Sequence, residues 1–423
     1  MSEQAVRPHS GVSARTMPLA LFLLCFPAAS LAVKGGASAL SLIIAVVCLV
    51  MLIRVALRSQ AAFNWDATDT WITLGLASPI VVVLVIEACH GKLVGNTLDS
   101  PSRFLAAVPV FLMLRRVRLD ALRTADLSFA IGAIVALIDM LASPRVEDRG
   151  RNAFLDAIHF GDIALALGIL SVLSLGWWRK DPLIVRIVKI AGLGAGLAAS
   201  AISGSRGGWI AIPVMAVIVA LTHHGRTARR WKIVVTLAIG AVVVVGGLMT
   251  TAVQDRFAAL ANDYSQFEAG NKDTSLGVRL QLYRVGLKIV AQHPWEGLGA
   301  HGFHDAMPGF AQSGALTPLA AHFGMGETHN QFLAWLTDYG VLGGLALVAI
   351  YLVPCIVFAR SLHSPHPSAR RSSTMGLAFV VSFLIFGFSV EMFDLKLVTA
   401  FYATVVAVLL SISANQHAQH LAL

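Results

Sequence analysis

The chain has 423 residues, 57% of them hydrophobic and only 13% charged, with a net charge of +9 and a mean hydropathy of +0.74. A soluble domain is roughly half apolar and a quarter charged, so a globular core of this size cannot bury so much apolar surface, and lipid must cover the remainder. The apolar runs are continuous rather than alternating, which excludes a membrane β-barrel, and cytoplasmic loops explain the positive charge better than nucleic acid does.

The expected fold is an all-α polytopic membrane protein. A span needs about 20 mostly apolar residues. Candidates are 17–33, 38–57, 70–88, 103–117, 127–143, 153–176, 183–202, 207–223, 232–251, 330–359, 374–390 and 396–414, twelve in all. The first follows Arg7 and Arg15 and resembles a signal peptide, but a second span follows at once, so it reads as a retained helix. The weakest is 103–117, which is short and contains Pro109. Its presence makes the charge bias consistent. One side then carries Arg54, Arg58, Arg115, Arg116, Arg179, Lys180, Arg186, Lys189, Arg226, Arg229, Arg230, Arg360, Arg370 and Arg371, while the opposite short loops are poorer in cations. Both termini are then cytoplasmic. Cys25, Cys48, Cys89 and Cys355 lie in or near apolar runs without metal or disulfide spacing.

The chain divides into a first membrane part, 1–250, a large non-cytoplasmic loop, 251–328, and a second membrane part, 329–423. Within the loop, Val278, Leu282, Val285 and Ile289 recur at helical spacing and predict an amphipathic helix of about four turns. Gln292-His293-Pro294 ends it. The stretch from there to about Met325 reads as Gly/Pro-rich loop.

His329 opens the run HNQFLAWLTDYGVLGG at a helix start. Histidine titrates near neutrality and suits a general base acting on a hydroxyl; the alternative is a capping or packing histidine. Arg206 lies in SGSRGG between two spans, on the side where cations are scarce. Gly204, Gly207 and Gly208 would let a phosphate approach the backbone and the next helix N-terminus; the alternative is an arginine snorkelling to the interface among turn glycines. Arg279, Arg284 and Lys288 lie on the amphipathic stretch, where arginine can grip phosphate or simply face anionic head groups. Arg145, Arg149 and Arg151 form a further basic cluster, partly offset by Glu147 and Asp148. Gly297-Leu298-Gly299-Ala300-His301-Gly302 fits GxGxxG but lacks the βαβ context of a dinucleotide site. His293, His301, His304 and His322 lack metal spacing. Asp66 and Asp69 fall on the cytoplasmic side, away from His329, and read as a polar loop and helix cap. No metal or other cofactor is expected.

Three segments carry a family resemblance: SGSRGGW with Arg206; VRLQLYRVGLKIVAQHPWEGLGAHGF with Arg279, Pro294, Gly297 and Gly299; and HNQFLAWLTDYGVLGG with His329, Asn330, Leu333 and Gly340. In this order they resemble the O-antigen ligase and polymerase superfamily of bacterial envelope enzymes, most closely its O-antigen ligases. The resemblance implies a GT-C-type, inner-membrane glycosyltransferase. Such an enzyme moves a polysaccharide from undecaprenyl diphosphate to a sugar hydroxyl of lipid A–core at the periplasmic face, without nucleotide or metal. On that reading His329, Arg206 and Arg279 are catalytic, and Arg284, Lys288, Arg145 and Arg151 contact diphosphate or lipid head groups. The donor glycan lipid, lipid A–core and membrane lipids are the expected partners; nucleic acid is not. An O-antigen polymerase and a protein O-oligosaccharyltransferase share this expected fold. A lipid-linked glycan transporter is the rival of a different class, and it should carry functional charges deep within the spans.

Overall fold

The structure, a computed structural model, describes residues 17–58, 65–117, 119–143, 145–146, 149–150, 154–205, 207–222 and 251–415. Among the described residues, eight α-helices precede the insertion: α1 (Met17–Ala32), α2 (Gly36–Arg58), α3 (Ala67–Cys89), α4 (Asp99–Leu114), α5 (Ser128–Ala142), α6 (Ala157–Leu173), α7 (Leu183–Ser203) and α8 (Ala211–Thr222). The insertion holds α9 (Thr251–Glu268), α10 (Ser275–Gln292), α11 (Gly302–Gln312) and α12 (Pro318–Gly324). The chain then forms α13 (Gln331–Ser361), α14 (Pro367–Phe386) and α15 (Lys396–Ser413). A two-residue hairpin, β1 (Arg145–Val146) with β2 (Arg149–Gly150), joins α5 to α6.

Every expected span within the described residues coincides with one of these helices; 232–251 lies almost wholly outside them. By length and composition six are able to cross a membrane: α2, α3, α7, α13, α14 and α15. Helices α1, α5, α6 and α8 are apolar but shorter. The outward face of α2 exposes Val46, Leu49, Val50, Ile53 and Leu57, and that of α7 exposes Leu183, Ile184, Ile187 and Ile190. Stripes of this size at helical spacing are stable only against lipid. The protein is a multi-pass helical membrane protein.

α15 is the axis of the bundle. Every residue from Leu397 to Ser413 is buried, as a helix apolar all round must be. It packs on α4, α14, α2 and α13. Tyr402 sits among Phe104, Phe379, Phe383, Phe393 and Tyr351, and its phenol donates to the Ile350 carbonyl at 2.9 Å. α4, despite Pro109, buries Phe104 and Phe111 completely beside that axis. α1 is part of the same core through Leu23, Phe26 and Leu31.

Two ends of the bundle are chemically distinct. At one, Asp66 caps α3 in a reciprocal capping box with Asp69. Arg115 joins that cap to the C-terminus of α15, bonding Asp66 at 2.6 Å, Asp69 at 2.7 Å and the Ala414 carbonyl at 2.6 Å. At the same end the buried Lys189 ammonium meets Asp126 at 2.7 Å and the Ser174 carbonyl at 2.8 Å, and Trp177 donates to Ser368 at 3.1 Å. These are the arginine- and lysine-rich loops that the charge bias groups on one side. The insertion, with His329 and Arg279, occupies the opposite end.

The insertion differs from expectation. The amphipathic helix is there as α10, ending at Gln292 with His293 as its C-cap. Beyond it the chain is helical rather than loop. α11 and α12 pack Phe303, Met307, Leu316 and Ala320 onto Val278, Leu282, Val285 and Ile289, a core separate from that of the bundle. Thr317 caps α12 with Pro318 in its first turn, a start signal legible in sequence.

α13 also departs from the expected unbroken span. Gly340 has φ 61° and ψ −156°, a conformation essentially confined to glycine. A short segment, 331–339, therefore meets the long helix at a break. The turn 294–299 fills it: Val341 N–H donates to Pro294 O at 2.7 Å, Leu298 N–H to Thr337 O at 2.8 Å and Gly299 N–H to Asp338 O at 2.8 Å. A Cβ on Gly297 would lie 2.5 Å from the Asp338 carbonyl. The GxG of the second motif and Gly340 of the third are thus one packed joint, which satisfies backbone groups the broken helix leaves open.

Candidate active site

His329 occupies the loop entering α13 with φ 56°, a left-handed conformation uncommon outside glycine. Its neighbours hold it there. Asn330 is the N-cap, accepting from Phe332 N–H and Leu333 N–H at 3.0 Å each. The Tyr283 phenol of α10 donates to the His329 carbonyl at 3.1 Å. The Thr328 N–H donates to the Glu391 carboxylate. The Glu327 carboxylate abuts His329 Nδ1, yet Nδ1 forms no hydrogen bond. The contact is thus an ion-pair approach rather than a hydrogen bond.

Arg279 lies one turn before Tyr283 on α10, half-buried, and its charge acts on the Tyr283 phenol. The Tyr283 phenol is nevertheless raised above its ordinary value, chiefly by burial. Arg206 lies outside the described residues, but the turn around it is fixed on both sides. Gly204 ends α7 with φ 74°. Ser205 donates to Asp162 at 2.7 Å. A Cβ on Gly207 would lie 3.3 Å from Ser389 Oγ. The His329 loop reaches the same turn, where the Phe332 and Phe388 rings stack at 5.1 Å. The backbone flanking Arg206 and the His329 loop therefore converge on residues 386–389. Gly208 has a packing reason that the sequence reading did not give: a Cβ there would meet Asp162 Oδ1 at 2.2 Å, so its smallness admits a carboxylate of α6.

Arg284 and Lys288 are exposed and lie over Phe267 and Phe310, each 5.8 Å from the ring centroid. Arg145 is in the hairpin, paired with Gly150; its side chain and the whole of Arg151 lie outside the described residues.

Sequence reasoning passed over an acidic element beside His329. Glu391 and Asp394 lie between α14 and α15 and, with Glu327, Asp305 and Asp338, line a cleft of ≈ 440 Å³. Burial pushes the Glu391 carboxyl up to about 8, against the Thr328 hydrogen bonds that favour its charged form. Asp394 is raised too, by burial first, with His301 and His159 opposing. His159 bridges Asp156 through Nδ1 and the Glu391 carbonyl through Nε2 at 3.1 Å. Both partners are acceptors, so the ring there is the doubly protonated cation. Burial would raise the Asp156 carboxyl, but the His159 hydrogen bond and charge hold it below the usual range. Two acidic residues in the short 387–395 connection were the available signal. Among the described residues no group of three or more His, Cys, Asp and Glu side chains is arranged to hold a metal ion.

Residues 191–348 match the family model described as O-Antigen ligase. An uncharacterized protein of Haemophilus influenzae is 27% identical over 301 residues, covering 68% of this chain and 73% of that protein. An O-antigen ligase of Escherichia coli is 21% identical over 189 residues, 44% of each chain. The family match spans Arg206, Arg279, His329 and all four glycine and proline positions of the α13 joint, so this stretch of the chain is similar to the O-antigen ligases.

Proposed function

We propose that this protein is a membrane glycosyltransferase that transfers a lipid-linked glycan to a sugar hydroxyl, and that within its superfamily it is an O-antigen ligase. The donor is undecaprenyl-diphosphate-linked polysaccharide, the acceptor is lipid A–core, and the insertion end of the bundle faces the periplasm of the inner membrane. The supporting observation is a convergence: the His329 loop, the Arg279 helix and the turn flanking Arg206 meet at one end, opposite the arginine- and lysine-rich loops.

His329 accepts the acceptor hydroxyl proton as that oxygen bonds to the donor's anomeric carbon. The anomeric carbon–oxygen bond breaks, and its electron pair leaves on the diphosphate. Arg206 and Arg279 stabilise the charge growing there. One direct displacement inverts the anomeric configuration. Arg284, Lys288, Arg145 and Arg151 are left to head-group contact away from the reacting centre. The broken α13 is a feature also found in transporters. Here backbone of the 294–299 turn fills the break, and the buried Asp162 and Lys189 and the half-buried Asp338 lie within about two turns of helix ends, which favours the enzyme reading.

The test is transfer by purified protein reconstituted with carrier-linked glycan and lipid A–core, followed by product mobility on a gel. His329→Ala and Arg279→Ala should lose at least a hundredfold in rate while remaining folded, and EDTA should have no effect. Wild-type transfer by His329→Ala removes the base assignment. Glycan elongated on its own carrier, with none on lipid A–core, makes the protein a polymerase instead.

A further inference from the structure

We infer that Glu327 is the positioning residue for His329 and the first stop for the proton that His329 removes, with the acidic cleft as the way out to water. This inference rests on the reading of His329 as base. Two observations carry it. The Glu327 carboxylate abuts Nδ1, the nitrogen that is buried and without a hydrogen bond. The same Glu327 lines the ≈ 440 Å³ cleft, so one carboxylate faces the ring on one side and the cleft on the other.

The chemistry balances in protons. The acceptor hydroxyl gives its proton to Nε2 while its oxygen bonds to the anomeric carbon, and the ring becomes an imidazolium. Its Nδ1 proton passes to Glu327 and from there to water in the cleft, which leaves the ring neutral with its proton on Nε2; before the next turnover Nε2 releases that proton to water and Glu327 returns one from the cleft to Nδ1, so that one proton leaves per transfer. A carboxylate on the distal nitrogen also fixes the tautomer that leaves Nε2 free to accept. The groups around Glu327 suit the task. Glu391 and Asp394 are neighbouring acids coupled to it. His159 is a cation within Coulombic reach, and the Tyr283 phenol feels both Glu327 and Arg279.

The test uses the full chain in lipid nanodiscs with carrier-linked glycan and lipid A–core as probes. Glu327→Gln and Glu327→Ala should each lower kcat by roughly a hundredfold, with both KM values nearly unchanged and the pH profile of kcat displaced. Glu327→Asp should recover most of the rate. Added formate or imidazole should accelerate Glu327→Ala in proportion to concentration and leave the wild type alone. A wild-type kcat in Glu327→Gln overturns the inference. So does a loss confined to KM, or a slow, folded Glu327→Ala that small acids and bases do not rescue. If His329→Ala itself transfers normally, the reading beneath it fails; if that variant is inactive and Glu327→Gln is normal, only this inference does.

Discussion

Replacing Gly340 by alanine tests whether the α13 joint holds the site together. The native backbone there, φ 61° and ψ −156°, costs a residue with a Cβ roughly 1–3 kcal/mol. The added Cβ would lie 2.3 Å from the Trp295 carbonyl oxygen and 2.4 Å from its carbon, inside contact distance of backbone that cannot rotate away. The 294–299 turn must withdraw. That loosens three hydrogen bonds, from Val341, Leu298 and Gly299, each worth about 1 kcal/mol net. The total is about 4–6 kcal/mol. For a chain of this size the expected outcome is a fall in Tm on the order of 5 °C or more in detergent. Because segment 331–339 carries the Asn330 cap, transfer should fall as well, by more than the unfolded fraction explains. Gly194→Ala is the control. Nothing lies within 4 Å of a Cβ there, and alanine in a helix interior gains up to about 1 kcal/mol over glycine. A Gly340→Ala protein with wild-type Tm and transfer would show that the joint is not what holds the break.

Two other perturbations read different parts of the structure. Burial raises the folded pKa of Glu391 to about 8 from its ordinary 4.5. The protonated form is the one the fold accommodates, so its contribution is full below about 4.5 and is lost as pH rises through about 8. Tm of the wild type should decline across that window and Glu391→Gln should flatten the decline; parallel curves refute the assignment. Arg115→Ala leaves the fully buried Asp69 carboxylate with Arg116 but without Arg115 and should cost about 1–3 kcal/mol, read as lower yield and Tm, while the protein that folds transfers at the normal rate. Unchanged Tm would mean the Asp66–Asp69–Arg115 cluster does not fasten that end.

Much of the fold was legible because a span is a local signal. Twenty apolar residues announce themselves wherever the chain later packs, and the charged loops reported which ends lie together. The helix α4, short and interrupted by Pro109, was expected as well. The insertion was harder because its helices are marginal alone: α12 has seven residues, and α11 contains Pro308. Both exist by burying Phe303, Met307 and Ala320 against α10, a tertiary reason no window of sequence contains. The break at Gly340 was hidden for the same cause, since one glycine in an apolar run fits a continuous helix and the turn that breaks it lies more than 40 positions earlier. In the site, His329 and Arg279 could be singled out by residue type and place. Tyr283 and Glu391 could not, because the contacts that give them meaning span 46 and 63 positions.

The junction around His329 explains why a membrane enzyme would keep so strained a loop. A left-handed non-glycine residue persists only where its surroundings over-determine it. Two independent bodies grip the loop here. From the insertion, Tyr283 holds the His329 carbonyl and the 294–299 turn holds Thr337 and Asp338. From the bundle, Gln331 N–H donates to Gly387 O at 2.8 Å and Phe393 N–H donates to Gln331 Oε1 at 2.6 Å. Arg279 rides on the insertion, whereas the turn that carries Arg206 rests on the bundle beside Ser389. The proposed diphosphate clamp therefore has one half on each body, and His329 sits on the seam between them. Correct docking of the insertion is then a condition for chemistry rather than for donor binding alone. Variants of the joint should lower kcat even where the bundle's half of the clamp still holds the carrier lipid.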